Sequence, residues 1–95
     1  LTREQYQEWT DLGREIQERL EAAVQTGLSP ESEVGREITA LHRRWLIITG
    51  KQYDPAKHRG IAELYVTDER FTAYYDKQVP GCACFLRNAV AHWAK

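Results

Sequence analysis

Methionine is absent from the 95 residues, and cysteine and proline are scarce at two and three. A chain that opens on Leu1 without an initiator Met is expected to be an excised piece of a longer protein. The two cysteines, Cys82 and Cys84, are separated by a single residue, so they cannot staple distant segments. Their C-x-C spacing lacks a second pair, and the three histidines are not spaced to complete a zinc site. No metal and no cofactor is expected. Two free thiols fit a reducing, cytoplasmic setting. The longest apolar run, near Trp45 to Ile48, falls far short of the ~20 residues a membrane helix needs. The polar, mixed-charge start from Leu1 to Thr10 is not a signal peptide. Charge of one sign is missing too: 13 basic residues stand against 14 acidic ones. The only basic cluster, Arg43-Arg44 with Lys51 and Lys57 downstream, reads as a solvated helix face. Phosphate affinity needs clustered cations, so nucleic-acid binding by this segment alone is not expected. There is no G-x-S-x-G, Walker loop, H-E-x-x-H or dinucleotide glycine fingerprint, and no catalytic residue is assigned. The chain is read as a non-enzyme.

What is present is a set of clear helix signals. Thr2 and Gln5 make a capping box. Tyr6, Trp9, Leu12, Ile16, Leu20 and Val24 follow in steps of three and four, one helical stripe that Gly27 closes. Gly13 weakens that helix by roughly 1 kcal/mol relative to alanine. Ser29-Pro30-Glu31 is read as the cap and first turn of a second helix with the stripe Val34, Ile38, Leu41, Trp45 and Ile48, ended by Gly50. Asp54-Pro55 repeats the start signal for a third helix carrying Ile61, Leu64 and Tyr65. Thr67 and Asp68 favour caps, which places a break there and a fourth helix over about Asp68 to Lys77. Val79-Pro80-Gly81 punctuates again, with Pro80 opening a last helix lined by Phe85, Ala89, Val90 and Trp93. No segment alternates with period two over strand length. The expectation is one all-α domain spanning residues 1–95, of about five helices with short loops.

Three groups of side chains bear on chemistry. His42, His58 and His92 lie on different predicted helices, and the bland reading of each is a structural histidine. Cys82 and Cys84 fall in the first turn of the last helix, where the helix dipole favours thiolate and a nucleophile or redox sensor is conceivable. The bland alternative is two small residues, one turned inward and one outward. The third group is aromatic. Of ten aromatics, eight (Trp45, Tyr53, Tyr65, Phe71, Tyr74, Tyr75, Phe85 and Trp93) lie between residues 45 and 93. Some must be core, since a small domain needs large side chains to bury area. As a group, their polar handles suit an aromatic-lined cleft between helices.

The stretch Ile61-Ala62-Glu63-Leu64-Tyr65-Val66-Thr67-Asp68-Glu69-Arg70-Phe71 resembles the pattern L-G-E-M-Y-V-x-D-x-R-F of the TipA-type antibiotic-recognition (TipAS) domain of MerR-family transcription regulators. Tyr75-Asp76, Val79-Pro80-Gly81, Ala83, Leu86 and Asn88-Ala89-Val90 follow in the order of the family's closing motif. Leu41-His42-Arg43 resembles its histidine-bearing helix. Motif-grade similarity covers Leu41 to Val90. The resemblance implies an all-helical fold like a shortened globin, binding bulky hydrophobic antibiotics in a cleft, with thiopeptides as the founding class. It also implies a winged-helix DNA-binding domain outside this chain, joined through a dimerising coiled coil, and a mobile amino-terminal part that ligand binding orders. The founding member captures thiopeptides through a cysteine at the position of Gly60 here. The earlier family cysteine also has no match, since Pro55 follows Tyr53-Asp54. Covalent capture at those positions is excluded.

These readings converge on the effector-binding domain of a drug-responsive activator that binds a bulky, largely apolar molecule non-covalently. His42, Trp45, Tyr65, Phe71, Tyr74, Tyr75 and Phe85 are its expected ligand-binding residues, with His42 as a polar contact. DNA is expected as a partner only through a domain absent from this chain, the membrane not at all, and the full-length protein is expected to be a homodimer. Rival readings are a free-standing drug-sequestering resistance protein, a redox sensor using Cys82 and Cys84, and a plain helical dimerisation module. Alanine at Trp45 or Tyr75 is expected to lower ligand affinity with helicity nearly intact. The first helix, from Tyr6 to Leu20, is expected to exchange its amides faster without ligand.

Overall fold

A computed structural model of the chain describes residues 2–48 and 50–95. Five helices follow one another: α1 (Arg3–Gln25), α2 (Glu33–Leu46), α3 (Pro55–Thr67), α4 (Glu69–Asp76) and α5 (Cys82–Trp93), with no strand among the described residues. None of the helices is long and apolar enough to cross a membrane.

The start of α1 is the capping box expected from Thr2 and Gln5, each side chain bonded to the other's backbone N–H. At its end Gly27, at φ 73°, donates to the Val24 carbonyl while Leu28 donates to that of Ala23. This is the paired closure of a Schellman motif. Asp54 caps α3 by accepting from the Ala56 N–H at 2.9 Å, with Pro55 in the first turn. Asp68 ends α3 and starts α4 as a single hinge residue, accepting from the Arg70 N–H.

Three boundaries differ from expectation. Ser29 and Pro30 do not open α2. They form a turn in which the Ser29 carbonyl accepts from both the N–H and the hydroxyl of Ser32. The helix begins at Glu33, because Trp93 Nε1 donates to the Pro30 carbonyl at 3.0 Å and holds that turn against the end of α5. Gly35 lies under the same turn, and a Cβ there would sit 1.9 Å from the Pro30 oxygen. At its other end α2 stops at Leu46, short of Ile48 and Gly50. Pro80 likewise stands before α5. Gly81, at φ 102°, is the N-cap, and the missing cap is supplied from afar by Asp76, whose carboxylate accepts from the Ala83 N–H at 2.9 Å.

α5 packs against each of the other four helices. Its Cys82, Ala83, Phe85, Leu86, Ala89 and Val90 form the centre of a core completed by Ile16, Leu20 and Ala23 of α1, Ile38 of α2, Ala62 and Tyr65 of α3, and Tyr75 of α4. Each large apolar side chain fully buried there contributes roughly 1.5–3 kcal/mol. α1 reaches this core only through its second half. Its first turns are held by Trp9 against Trp45, by an ion pair between Glu8 and Arg44, and by Gln5 reaching the Ile48 carbonyl.

Candidate ligand-binding cleft

α1 and α4 face each other across a gap rather than packing together, and this gap is a cavity of about 1040 Å³. α1 supplies one wall with Tyr6, Trp9, Gly13 and Gln17. α4 supplies the other with Phe71, Tyr74 and Tyr75. His42 and Trp45 of α2 and Tyr65 of α3 form the floor. One end is tied where Gln17 Nε2 donates to the Tyr75 carbonyl at 2.8 Å.

A column of rings runs from the α1 wall through the floor and on into the buried interior behind it. Trp9 stacks on Trp45 at 5.2 Å, Trp45 on His42 at 5.6 Å, and His42 on His58 at 4.9 Å, with successive planes within 21° of parallel. Tyr65 meets His42 edge-on at 5.6 Å and packs against Tyr75 at 4.8 Å and Phe71 at 5.5 Å. Tyr74 crosses Tyr75 at a right angle and carries the Lys77 ammonium over its ring at 4.7 Å. Tyr6, Phe71 and Tyr74 are 57%, 40% and 51% exposed, so large apolar faces are left open towards the gap. The charges lining it are of both signs: Arg14, Arg70 and Lys77 against Glu18 and Glu21. Arg70 is already engaged by Asp68, the carboxylate partner its place in the first turn of α4 calls for. The cavity therefore has aromatic walls and no net field selecting one charge.

Six of the seven residues singled out from sequence line this one cavity: His42, Trp45, Tyr65, Phe71, Tyr74 and Tyr75. Phe85 does not. It is 5% exposed in the core around α5, because its side of α5 faces the other helices. His42 stands in the floor, but both its nitrogens are occupied: Nδ1 lies 2.8 Å from His58 Nε2 and Nε2 lies 3.1 Å from the Tyr65 hydroxyl. His58 Nδ1 in turn lies 2.7 Å from the Tyr53 hydroxyl. Burial, then its neighbour His58, pushes the His42 imidazole down to about 3. Burial, then Arg43 and Arg59, pushes His58 down to about 4. Both rings are neutral at physiological pH. Burial raises the Tyr65 and Tyr75 hydroxyls, so both remain protonated.

The thiolate reading of Cys82 fails. It is fully buried, and burial with Glu21 and Asp76 nearby pushes the thiol up to about 11 despite its helix-start position. Cys84 is turned outward, and neither cysteine lines the cleft. Gly60 sits on the exposed side of α3, with open space where a Cβ would be.

Sequence reasoning missed the α1 wall. By sequence, Tyr6 and Trp9 belong to a single apolar stripe of α1 and Gly13 is only a weak point in that helix. Tyr6, Trp9, Gly13 and Gln17 in fact form a second stripe of three-and-four spacing beside the apolar one, with the glycine leaving room 3.5 Å from Trp45 Nε1. The pairing of His42 with His58 had no local signal, because the two rings come from different helices.

The chain matches the family model of the TipAS antibiotic-recognition domain over residues 1–93. It belongs to the TipAS family. The HTH-type transcriptional activators TipA of Streptomyces coelicolor and Streptomyces lividans are each 30% identical to it over 89 residues. That match covers 94% of this chain and 35% of each activator, so the chain spans about a third of the length of these relatives. Among solved structures it is similar to TipAS of S. lividans in complex with nosiheptide, part of a thiopeptide antibiotic multidrug resistance system. There the TM-score is 0.84 at 30% identity, covering 99% of this chain and 66% of the other. The all-helical TipAS fold expected from the motif is the fold observed.

Proposed function

We propose that this domain binds bulky, largely apolar antibiotics non-covalently in the cleft between α1 and α4, as the effector-binding part of a drug-responsive transcription activator. The carrying observation is the cleft itself, about 1040 Å³ between aromatic walls. Sites for ordinary drug-sized ligands run from about 300 to 1,000 Å³, so this one accommodates a molecule at or beyond that upper end. The match to a nosiheptide-bound neighbour supports a thiopeptide or a molecule of similar bulk. With no cysteine on the walls, binding is by contact and hydrogen bonding.

In the whole protein, DNA contact and homodimerisation belong to a winged-helix domain and coiled coil outside these 95 residues, and the setting is cytoplasmic. The activator names of both curated relatives favour this reading over a free-standing sequestering protein. The two part on whether the parent gene encodes a DNA-binding domain. The test of binding is thermal unfolding against nosiheptide, other bulky antibiotics and cationic dyes. A ligand of the folded state adds about 2.7 kcal/mol at a hundredfold excess over its dissociation constant. A raised midpoint with nosiheptide, reduced in Trp9→Ala, is the expected result. No shift with any member of the panel would overturn the proposal.

A further inference from the structure

Tyr53, His58, His42 and Tyr65 form an unbroken line of polar contacts at 2.7, 2.8 and 3.1 Å, running from a half-buried loop residue to the cleft floor. Both imidazoles are buried, at 0% and 1% exposure, and their ring nitrogens face only each other and the two tyrosines. Each neutral ring carries one N–H. The contact between His58 Nε2 and His42 Nδ1 needs one hydrogen, neither two nor none. Only two arrangements satisfy all three contacts. In the first, both rings are protonated at Nε2: Tyr53 donates to His58, His58 to His42, and His42 to the Tyr65 oxygen. In the second, both are protonated at Nδ1 and every bond runs the other way, with Tyr65 donating to His42. The two tautomers are locked together.

The arrangement decides what the cleft offers. In the first, the Tyr65 oxygen accepts from His42, so its O–H is free to donate to a ligand on the cleft floor. In the second, the Tyr65 hydrogen is spent on His42 and the floor offers a lone pair. The charges at the far end choose between them. The Arg43 guanidinium stands 4.1 Å over the Tyr53 ring, and Arg59 is a second cation acting on Tyr53 and His58. The nearby Asp54 carboxylate is engaged by the backbone N–H groups of α3. Two cations favour hydrogens displaced away from Tyr53, towards the cleft.

Resting on the cleft reading above, we propose that Tyr53, His58 and Arg43, none of which lines the cleft, act as positioning residues that fix Tyr65 as a hydrogen-bond donor, selecting ligands that seat an acceptor such as a carbonyl or azole nitrogen on the floor. The test uses the 15N-labelled chain without ligand. Long-range proton–nitrogen correlation distinguishes N–H from bare ring nitrogens. Both histidines are expected as Nε2–H tautomers, and a protonated Nδ1 on either would overturn the proposal. Arg43→Glu, an exposed change outside the cleft, sets a carboxylate against Arg59 and cancels the field. It should move both rings together towards Nδ1–H and weaken nosiheptide binding about three- to tenfold, the range of one hydrogen bond. An affinity that ignores the tautomer change would contradict the donor role. If the native chain does not bind nosiheptide, the cleft reading fails while the tautomer result still decides the relay.

Discussion

Trp9 and Trp45 contribute differently to the cleft although their rings are stacked. Trp45 also packs on the core, whereas Trp9 lies outside the core cluster and stacks on Trp45 beside Tyr6. Trp9→Ala should therefore weaken nosiheptide binding on the order of tenfold while lowering the melting temperature less than a core substitution does, as calorimetry and circular dichroism can check. Tyr75 separates from Trp45 in the opposite direction. It belongs to the core, so Tyr75→Ala should cost about 3 kcal/mol, a large share of the stability of so small a domain. Tyr75→Phe is the change that isolates its hydroxyl. The buried histidines make stability depend on pH. Their folded values lie below the ordinary histidine value near 6.5, so between there and about 4 the unfolded chain binds more protons. The stabilisation is complete above about pH 6.5 and is lost as pH falls, with a slope approaching about 1.4 kcal/mol per pH unit for each ring. The melting temperature should fall between pH 7 and pH 5. A flat profile would mean that the pair is not held neutral.

The helices themselves were legible because their ends carry strong local chemistry. Thr2 with Gln5, Asp54 before Pro55, and Asp68 all act where their side chains can reach the next turn. The second helix start was misread for the same reason in reverse. Ser29 and Pro30 have the right local signature, but their turn is held by Trp93, 63 residues away, and by the contact over Gly35. Gly35→Ala should consequently cost roughly 1–3 kcal/mol, because the obstructing Pro30 carbonyl is backbone and cannot rotate aside. Denaturant unfolding checks this, and a neutral result would show that the turn is not fixed on α2. α1 divides into a part from Leu12 onwards with a buried apolar face, and first turns that rest on Trp45 and a few surface bonds. Hydrogen exchange of the free chain should be faster over Tyr6 to Asp11 than over Ile16 to Ala23, and ligand should slow the first group. Equal protection in the free chain would contradict it.

At the scale of the whole molecule, the cleft exists because α5 alone bridges all the other helices, leaving α1 and α4 apart. Motif residues located the α2–α4 side, since Tyr65, Phe71 and Tyr75 sit in or beside the recognisable stretch. The α1 side was not legible, because Trp9 and Gly13 become a wall only once α4 stands opposite. Phe85 shows the converse limit: aromatic density marks a region, and the rotation of one helix decides which ring faces the core. The most direct test of the account is a calorimetric titration of the chain with nosiheptide. Saturable binding that Trp9→Ala weakens and that leaves the chain's mass unchanged after denaturation is the predicted result. No binding by a folded chain, or a covalent adduct, would contradict it.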